Sequence, residues 1–281
     1  MAETLFLQNA HLQMRVDPQG GALRELVSLI HDRPVLWEKG DRALFPMLPL
    51  ANRVAGNRFS FRGREIVLPD SPVDETFFLH GNGWLERWDV EFVSDTECLL
   101  TLRSQHPCGF DYLAELRYRL FGNVLRADLT LTHLGQNPML YGLGFHPWFV
   151  FEEASRVQFS AGGYWPEGDK HLPLAWQGEI PTEIDFSGAK HGENRWLNVG
   201  FSGWNGVAQI QSDVMTVTLS SQTPWLMLFR MSDESFLCLE PQSHPVNAHH
   251  QAGQPGLVAL GQSDSTCLAM EIAVESTTQS C

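Results

Sequence analysis

Apolar and polar residues alternate with a period of two along much of this chain. From Leu113 to Phe121, Ala114, Leu116, Tyr118 and Leu120 fall on one side and Glu115, Arg117 and Arg119 on the other, as successive side chains do on a β-strand. Leu125, Ala127, Leu129 and Leu131 then alternate with Arg126, Asp128, Thr130 and Thr132. Gly122-Asn123 between the two runs has the chemistry of a tight turn, so the segment predicts a β-hairpin. The alternation returns in Val214 to Ser220, through Met215, Val217 and Leu219, and in Thr266 to Val274, through Leu268, Met270 and Ile272. One buried and one wet face per strand is the pattern of antiparallel sheets.

Between Arg53 and Leu68 the turn signals Gly56-Asn57 and Arg62-Gly63 break up short runs holding Phe59, Phe61, Ile66 and Val67, which reads as a meander. No stretch of three turns or more carries an apolar stripe at helical spacing, and Gly and Pro are scattered throughout. The expected fold is all-β: a large antiparallel β-sandwich of two packed sheets rather than a closed barrel. Residues 166–198 are the least periodic region, rich in Gly, Pro and charge, and predict a long functional loop crossing one edge of the sandwich. Strand patterns resume on both sides of it and neither half looks self-sufficient, so residues 1–281 are expected to form a single domain. With 17 Phe and 9 Trp, such a chain can bury roughly three quarters of its unfolded surface.

Composition narrows the partners. Nineteen basic against 33 acidic residues, a formal net charge of −14, oppose docking on nucleic acid or anionic lipid and favour a small ligand. Five cysteines without a CxxC spacing imply neither a disulfide framework nor a zinc knuckle, and predict reduced, mostly buried thiols. Met1 to Gly20 has no basic segment followed by an apolar run, and the least charged stretch, 137–151, is too short to span a bilayer. A cytoplasmic protein without membrane partners is the expectation.

Several large enzyme classes leave no trace: GxxxxGK[ST], GxGxxG, GxSxG and HExxH are all absent. Six histidines, His80, His106, His146, His244, His249 and His250, lie beside Gly, Pro or another His, which places them in loops and at strand ends. Grouped with Glu240 they could form a cupin-like metal site, but adjacent His249 and His250 would point oppositely on a strand and no HxH pair exists. No metal and no cofactor is expected.

Four segments carry candidate chemistry. They are Asn52-Arg53 with Gly56-Asn57-Arg58-Phe59 and Phe61-x-Gly63, His80-Gly81 with Trp84 and Trp88, Gly144-Phe145-His146-Pro147-Trp148-Phe149, and Leu239-Glu240-Pro241-Gln242-Ser243-His244. In order, they resemble the "NR…G.F.F.G", "HG…W", "G.HP.F" and "EPQ(S/T)" segments of the aldose 1-epimerase, or galactose mutarotase, family. The resemblance implies the galactose mutarotase-like supersandwich and a reaction at the anomeric carbon of a free aldose sugar. A base takes the proton of the anomeric hydroxyl, an acid protonates the ring oxygen, and the roles reverse after rotation about the bond from C1 to C2. It implies Glu240 as base and His146 as acid, with Arg53 and His80 hydrogen-bonding the sugar near its reacting oxygens. Asn52 and Gln242, from the same motifs, are further binding candidates. At ordinary pKa values Glu240 is ionised at pH 7 and His146 is protonated about a quarter of the time. A nearby carboxylate is expected to raise that fraction, and Leu237 and Leu239 to desolvate Glu240 in part.

Each residue also has a plainer reading. His146 could bond a carbonyl, Glu240 could end a strand, Arg53 could pair with an acid and His80 could close the Gly81 turn. Among the tryptophans, Trp84, Trp148, Trp165 and Trp225 could stack on a pyranose, with Trp165 and Trp148 foremost. In the segment Trp196-Leu197-Asn198-Val199-Gly200-Phe201, many members of the family carry a sugar-binding aspartate where this chain has Asn198, and Asp185 is a possible replacement. Arg53, Arg58, Arg62 and Arg64 raise the alternative of a hexose 6-phosphate substrate, since converging guanidinium groups suit phosphate. A non-catalytic sugar-binding protein of the same fold is the rival from another class.

Overall fold

A computed structural model describes residues 4–37, 42–192 and 194–277. Two large antiparallel sheets make up most of it. One runs in the order Leu5–Gln8, Leu12–Asp17, Ala22–Ser28, Leu44–Met47, Gly144–Val150, Phe236–Gln242, Trp225–Arg230, Leu197–Ser202 and Gly163–Trp165, with Arg33–Pro34 paired to Ala22–Ser28. The other runs Lys190–His191, Arg156–Phe159, Val207–Gln211, Met215–Ser221, Ser265–Ser276, Val124–His133, Asp111–Phe121, Glu97–Gln105 and Asp89–Val93. Two short ribbons, Arg58–Phe61 with Arg64–Val67 and Met139–Tyr141 with Val258–Leu260, complete the strands. This is the all-β sandwich that the alternation predicts.

The hairpin shows how the pattern becomes packing. Asp111–Phe121 and Val124–His133 pair from Phe121 opposite Val124 to Tyr112 opposite His133. Gly122 turns the corner at φ 54°, in the left-handed region that a residue without Cβ adopts at little cost. Ala114, Leu116, Tyr118 and Leu120 join Leu125, Ala127, Leu129 and Leu131 in the core between the sheets. On the wet face Arg119 and Arg126 sit directly opposite one another, a repulsive pairing. Asp128 bonds both guanidinium groups, and Arg126 also reaches Glu271 on the next strand.

Buried residues of both sheets form one continuous cluster. Cys98 and Cys238 belong to the buried set, Cys108 is half-buried and Cys267 is exposed, so the expectation of mostly buried thiols holds for only part of the group; Cys281 lies outside the described residues. No described helix is long and apolar enough to cross a membrane. The aperiodic stretch 166–198 leaves one sheet's edge strand, Gly163–Trp165, and reaches the other sheet's edge at Lys190–His191. It therefore crosses one edge of the sandwich as predicted. Among its described residues, three-residue 3-10 turns, isolated bridges such as Glu167 with Pro173 and the short strand Lys190–His191 interrupt it.

Candidate active site

Strand alternation decides which side chains of the first sheet meet the core and which meet the opposite face. In Phe236–Gln242 all seven residues are buried. Leu237 and Leu239 join the core between the sheets, whereas Cys238 and Glu240 do not. The desolvation of Glu240 therefore comes from its own face, and Leu237 and Leu239, expected to supply it, lie on the other. The neighbouring strand pairs through Gly144 with Gln242 and Trp148 with Cys238, one unbroken register that sets His146 opposite Glu240. Regular pairing lapses between these two points, where Pro147 and Pro241 remove backbone donors. On its other side His146 faces Phe45, while Glu240 faces Met227, followed by Gly200 and then Trp165.

His146 Nε2 lies 3.3 Å from Glu240 Oε1, and the residues are only 6% and 2% exposed. Gln242 Nε2 donates to Glu240 Oε2 at 3.1 Å, which assigns Gln242 to holding the carboxylate from beneath the pocket. The His146 ring is packed between Phe45 and Trp148, with ring centres at 4.6 and 5.3 Å, and the stack continues to Trp84 at one end and Trp37 at the other. Such a column fixes the imidazole and excludes water from it. Burial pushes the Glu240 carboxyl up to about 8, against the opposing effects of Gln242 and Arg53. Burial also pushes His146 down to about 3, and Arg53 adds to the effect. The ordinary values expected from sequence are thus reversed in order: burial favours the neutral form of both groups, which places a shared proton on the Glu240 carboxyl and leaves His146 uncharged.

The second wall is a loop clamp. Asn52 and His80 both have left-handed backbones, at φ 62° and 59°. The Asn52 N–H donates to His80 Nδ1 at 3.1 Å, and the His80 N–H donates to the Asn52 carbonyl at 3.0 Å. An amide N–H can only donate, so Nδ1 is the ring's acceptor and the proton of the neutral imidazole sits on Nε2. Burial, with His146 and Arg53 adding to it, keeps His80 well below the usual histidine range, so it is a neutral donor. Gly81 bridges to Leu48 at φ 71°, where any Cβ would collide with the Leu48 carbonyl. The Gly81 turn and the placing of His80 are one device. Arg53 donates to Asn52 Oδ1 at 3.3 Å.

A pocket of about 260 Å³ is lined by Phe45, Asn52, Arg53, Leu79, His80, Trp84, His146, Trp148, His171, Trp196, Asn198, Phe229 and Glu240. Eight of the residues singled out in the sequence line it, Trp84 among them, and Gln242 supports it through Glu240. Trp165 does not: it is three strands from Glu240 and lines a neighbouring cleft with Glu167 and Asn198. Trp148 lines the pocket, yet both ring faces are covered by His146 and Trp37, which leaves its edge rather than a stacking surface. Trp225 borders a different cleft with Thr223 and Gly256. Asp185 is half-buried outside the pocket lining and bonds the Ser187 N–H, so it does not replace the missing aspartate.

The carboxylate at that corner is Glu167, which sequence reasoning missed along with Phe45, His171, Trp196 and Phe229. Trp196 opens the segment that holds Asn198, the others lie in no motif, and the Glu167 signal was only its place in the aperiodic loop. Glu167 Oε1 accepts from Asn198 Nδ2 at 2.6 Å, and Oε2 accepts from Trp196 Nε1 at 2.8 Å. The arginines invoked for phosphate do not converge. Arg58 approaches Glu65, Arg62 lies over the Phe61 ring and Arg64 donates to the Pro138 carbonyl.

His146, Cys238 and Glu240 are the described trio able to bring three ligand atoms within 4.8 Å of one another. Burial and the nearby Glu240 hold the Cys238 thiol well above its usual range. His249 and His250 sit on a 3-10 turn rather than a strand, the first buried and the second exposed.

With this geometry in hand, comparison with known proteins is direct. The aldose 1-epimerase family profile matches residues 3–266. The chain belongs to the aldose 1-epimerase family. It is 32% identical to the uncharacterized protein YphB of Escherichia coli K12, over 96% of this chain and 98% of YphB. The crystal structure of b2544 from Escherichia coli K12 superposes with a TM-score of 0.92 at 31% identity, covering 98% of this chain and 99% of that one. A galactose 1-epimerase from Lactobacillus acidophilus NCFM shares the fold, with a TM-score of 0.81 at 19% identity and coverage of 98% and 95%.

Two outcomes follow for this member of the aldose 1-epimerase family. Replacing Gly81 by Ala combines a strained backbone with a main-chain clash, and is expected to cost roughly 2–5 kcal/mol in urea unfolding. The folded Glu240 keeps its proton to about pH 8, whereas in the unfolded chain it releases it near 4.5, so this residue makes stability fall as pH rises through that window. Glu240→Gln removes the effect, and is expected to raise Tm by about 3 °C or more at pH 8 and by less at pH 5, as read by calorimetry.

Proposed function

We propose that the protein interconverts the α and β anomers of a free hexose by acid–base ring opening and reclosure, with Glu240 and His146 as the proton-transfer pair. The observation that carries this reading is the buried carboxylate and imidazole, 3.3 Å apart on one row of the sheet, at the floor of a pocket about the size of one pyranose. The reaction requires one group at O1 and one at the ring oxygen, both bonded to C1, and two adjacent side chains can serve them.

Burial places the shared proton on Glu240 before the sugar binds. A sugar hydroxyl donating to the carboxylate stabilises its anionic form, as the Arg53 charge already does. Binding of the anomeric O1–H therefore moves the pair toward ionised Glu240 and protonated His146. Glu240 then takes the O1 proton as His146 gives its own to the ring oxygen, which breaks the bond from C1 to the ring oxygen and leaves the open-chain aldehyde. Rotation about the bond from C1 to C2 presents the other carbonyl face. Reclosure returns one proton from Glu240 to O1 and one from the new ring hydroxyl to His146, so the pair ends as it began. His80, with its proton on Nε2, and Arg53 supply donors to the oxygens that gain charge. A substrate without a phosphate fits the lining, in which Arg53 is the guanidinium among the described residues.

Optical rotation or saturation-transfer NMR on freshly dissolved α-glucose and α-galactose tests the reading. Equilibration is expected to accelerate with at least one of them, and more than with glucose 6-phosphate. Binding without acceleration would instead make this a sugar-binding protein. Glu240→Gln and His146→Asn are each expected to lose at least about a hundredfold in rate while folding normally, and near-normal rates in both would overturn the roles.

The pH profile separates this site from one with ordinary pKa values. The active pair holds one proton, so kcat/KM should stay flat from the low-pH limit of folding to near pH 8 and then fall, following the Glu240 value of about 8 and the His146 value of about 3. Ordinary values would instead start the decline near pH 6.5.

A further inference from the structure

Glu167 borders the cleft beside the main pocket and takes no part in these proton transfers, yet it is bound more fully than a surface carboxylate needs to be. Asn198 Nδ2 and His171 Nδ1 meet its Oε1 at 2.6 and 2.5 Å, and Trp196 Nε1 meets its Oε2 at 2.8 Å. Burial opposes its charge, but these hydrogen bonds outweigh burial and hold the carboxyl below its ordinary range. An ionised carboxylate only accepts, so the Asn198 amide has to turn its NH₂ toward Glu167. That commits the amide oxygen to the other side. Among the described residues the Asn198 side chain bonds through Nδ2 alone, and its Oδ1 is not one of the buried polar atoms left without a partner. Asn198 itself lines both the main pocket and the cleft beside it.

We infer that Glu167 is a positioning residue that fixes the Asn198 amide, so that Asn198 Oδ1 stands in the pocket wall as the acceptor for one ring hydroxyl of the bound hexose. Two residues then present to the sugar what a single carboxylate at 198 would present, an oxygen that can only accept. Asn198 is thereby a specificity-determining contact, sensitive to the presence of that hydroxyl. The inference rests on the sugar-pocket reading above.

A swap of the two side-chain chemistries tests it. In E167Q an amide at 167 keeps its oxygen for Trp196 and turns its NH₂ to Asn198, whose own amide must flip and present NH₂ to the sugar. In N198D two carboxylates face each other where a 2.6 Å hydrogen bond stood. The double variant E167Q/N198D restores donor to acceptor, with a carboxylate oxygen in the pocket wall. Each single variant is expected to raise KM for galactose or glucose at least about tenfold, the loss of one good hydrogen bond, with a smaller change in kcat. The double variant should return to within about threefold of the unmodified protein.

Three further readouts separate the possibilities. E167Q should keep its Tm while KM rises, whereas a merely structural Glu167 would lower Tm and leave KM alone. Among monodeoxy hexoses, loss of one particular hydroxyl should weaken binding to the unmodified protein and make little difference to N198A. A double variant no better than the worse single one, or an unmoved KM in E167Q, overturns the inference. Should the unmodified protein bind hexoses without epimerising them, the same variants read by Kd from tryptophan fluorescence still decide the inference, and only the epimerase reading fails; no hexose binding at all overturns both.

Discussion

Glu240 and His146 face each other across two strands, 3.3 Å apart, in a place that water scarcely reaches, and much of the surrounding structure serves to keep them there. A carboxylate in such a position is an uncomfortable group: burial raises its pKa and costs stability once it ionises. A sheet can impose the position because its register leaves no freedom to a residue whose two neighbours in the row are already paired. Phe45 on one side and Met227 on the other close the row. Aromatic rings above and below the imidazole then hold its orientation.

The prolines flanking this row have a physical part in it. Pro147 and Pro241 withdraw two backbone donors at the centre of a large sheet, where proline is ordinarily excluded. The regular ladder lapses between Gly144 with Gln242 and Trp148 with Cys238, although the register on both sides is the same. The strands therefore stay aligned while the bonding between them relaxes at the very residues that would exchange protons. Stability is conceded locally and recovered from the core on the opposite face, where Leu237, Leu239, Phe145 and Phe149 are fully packed.

How far the sequence was legible follows from this division. The sandwich was readable because period-two alternation and turn residues are local signals, and Asp111–Phe121 with Val124–His133 obeys them residue by residue. The pocket was readable wherever a motif carried a backbone requirement as well as a side chain, as His80 does through Gly81 and Asn52. Trp165 could not be placed, because its distance from Glu240 is set by the order of strands, which alternation does not encode. The pKa order was misjudged for a related reason: ordinary values describe groups in water, and the depth of burial at one row is a tertiary property. Trp148 shows the same limit, a tryptophan in the right motif whose faces are taken by neighbours far away in sequence.

Glu167 marks the boundary between what the sheet fixes and what loops can vary. Glu240 and His146 stand on strands, as does Asn198 on Leu197–Ser202, whereas Asn52, Arg53, His80, His171 and Trp196 reach the pocket from the segments between strands. Loops accept substitutions that strands do not, so a change in which hydroxyl is read need not disturb proton transfer. Exchanging one carboxylate for an amide held by a second carboxylate is such a change: it keeps an acceptor in the wall, and moves the negative charge from the pocket to a site ringed by His171, Trp196 and Asn198. The arrangement proposed for Asn198 thus offers an acceptor to a hydroxyl without a second carboxylate in the lining that holds Glu240.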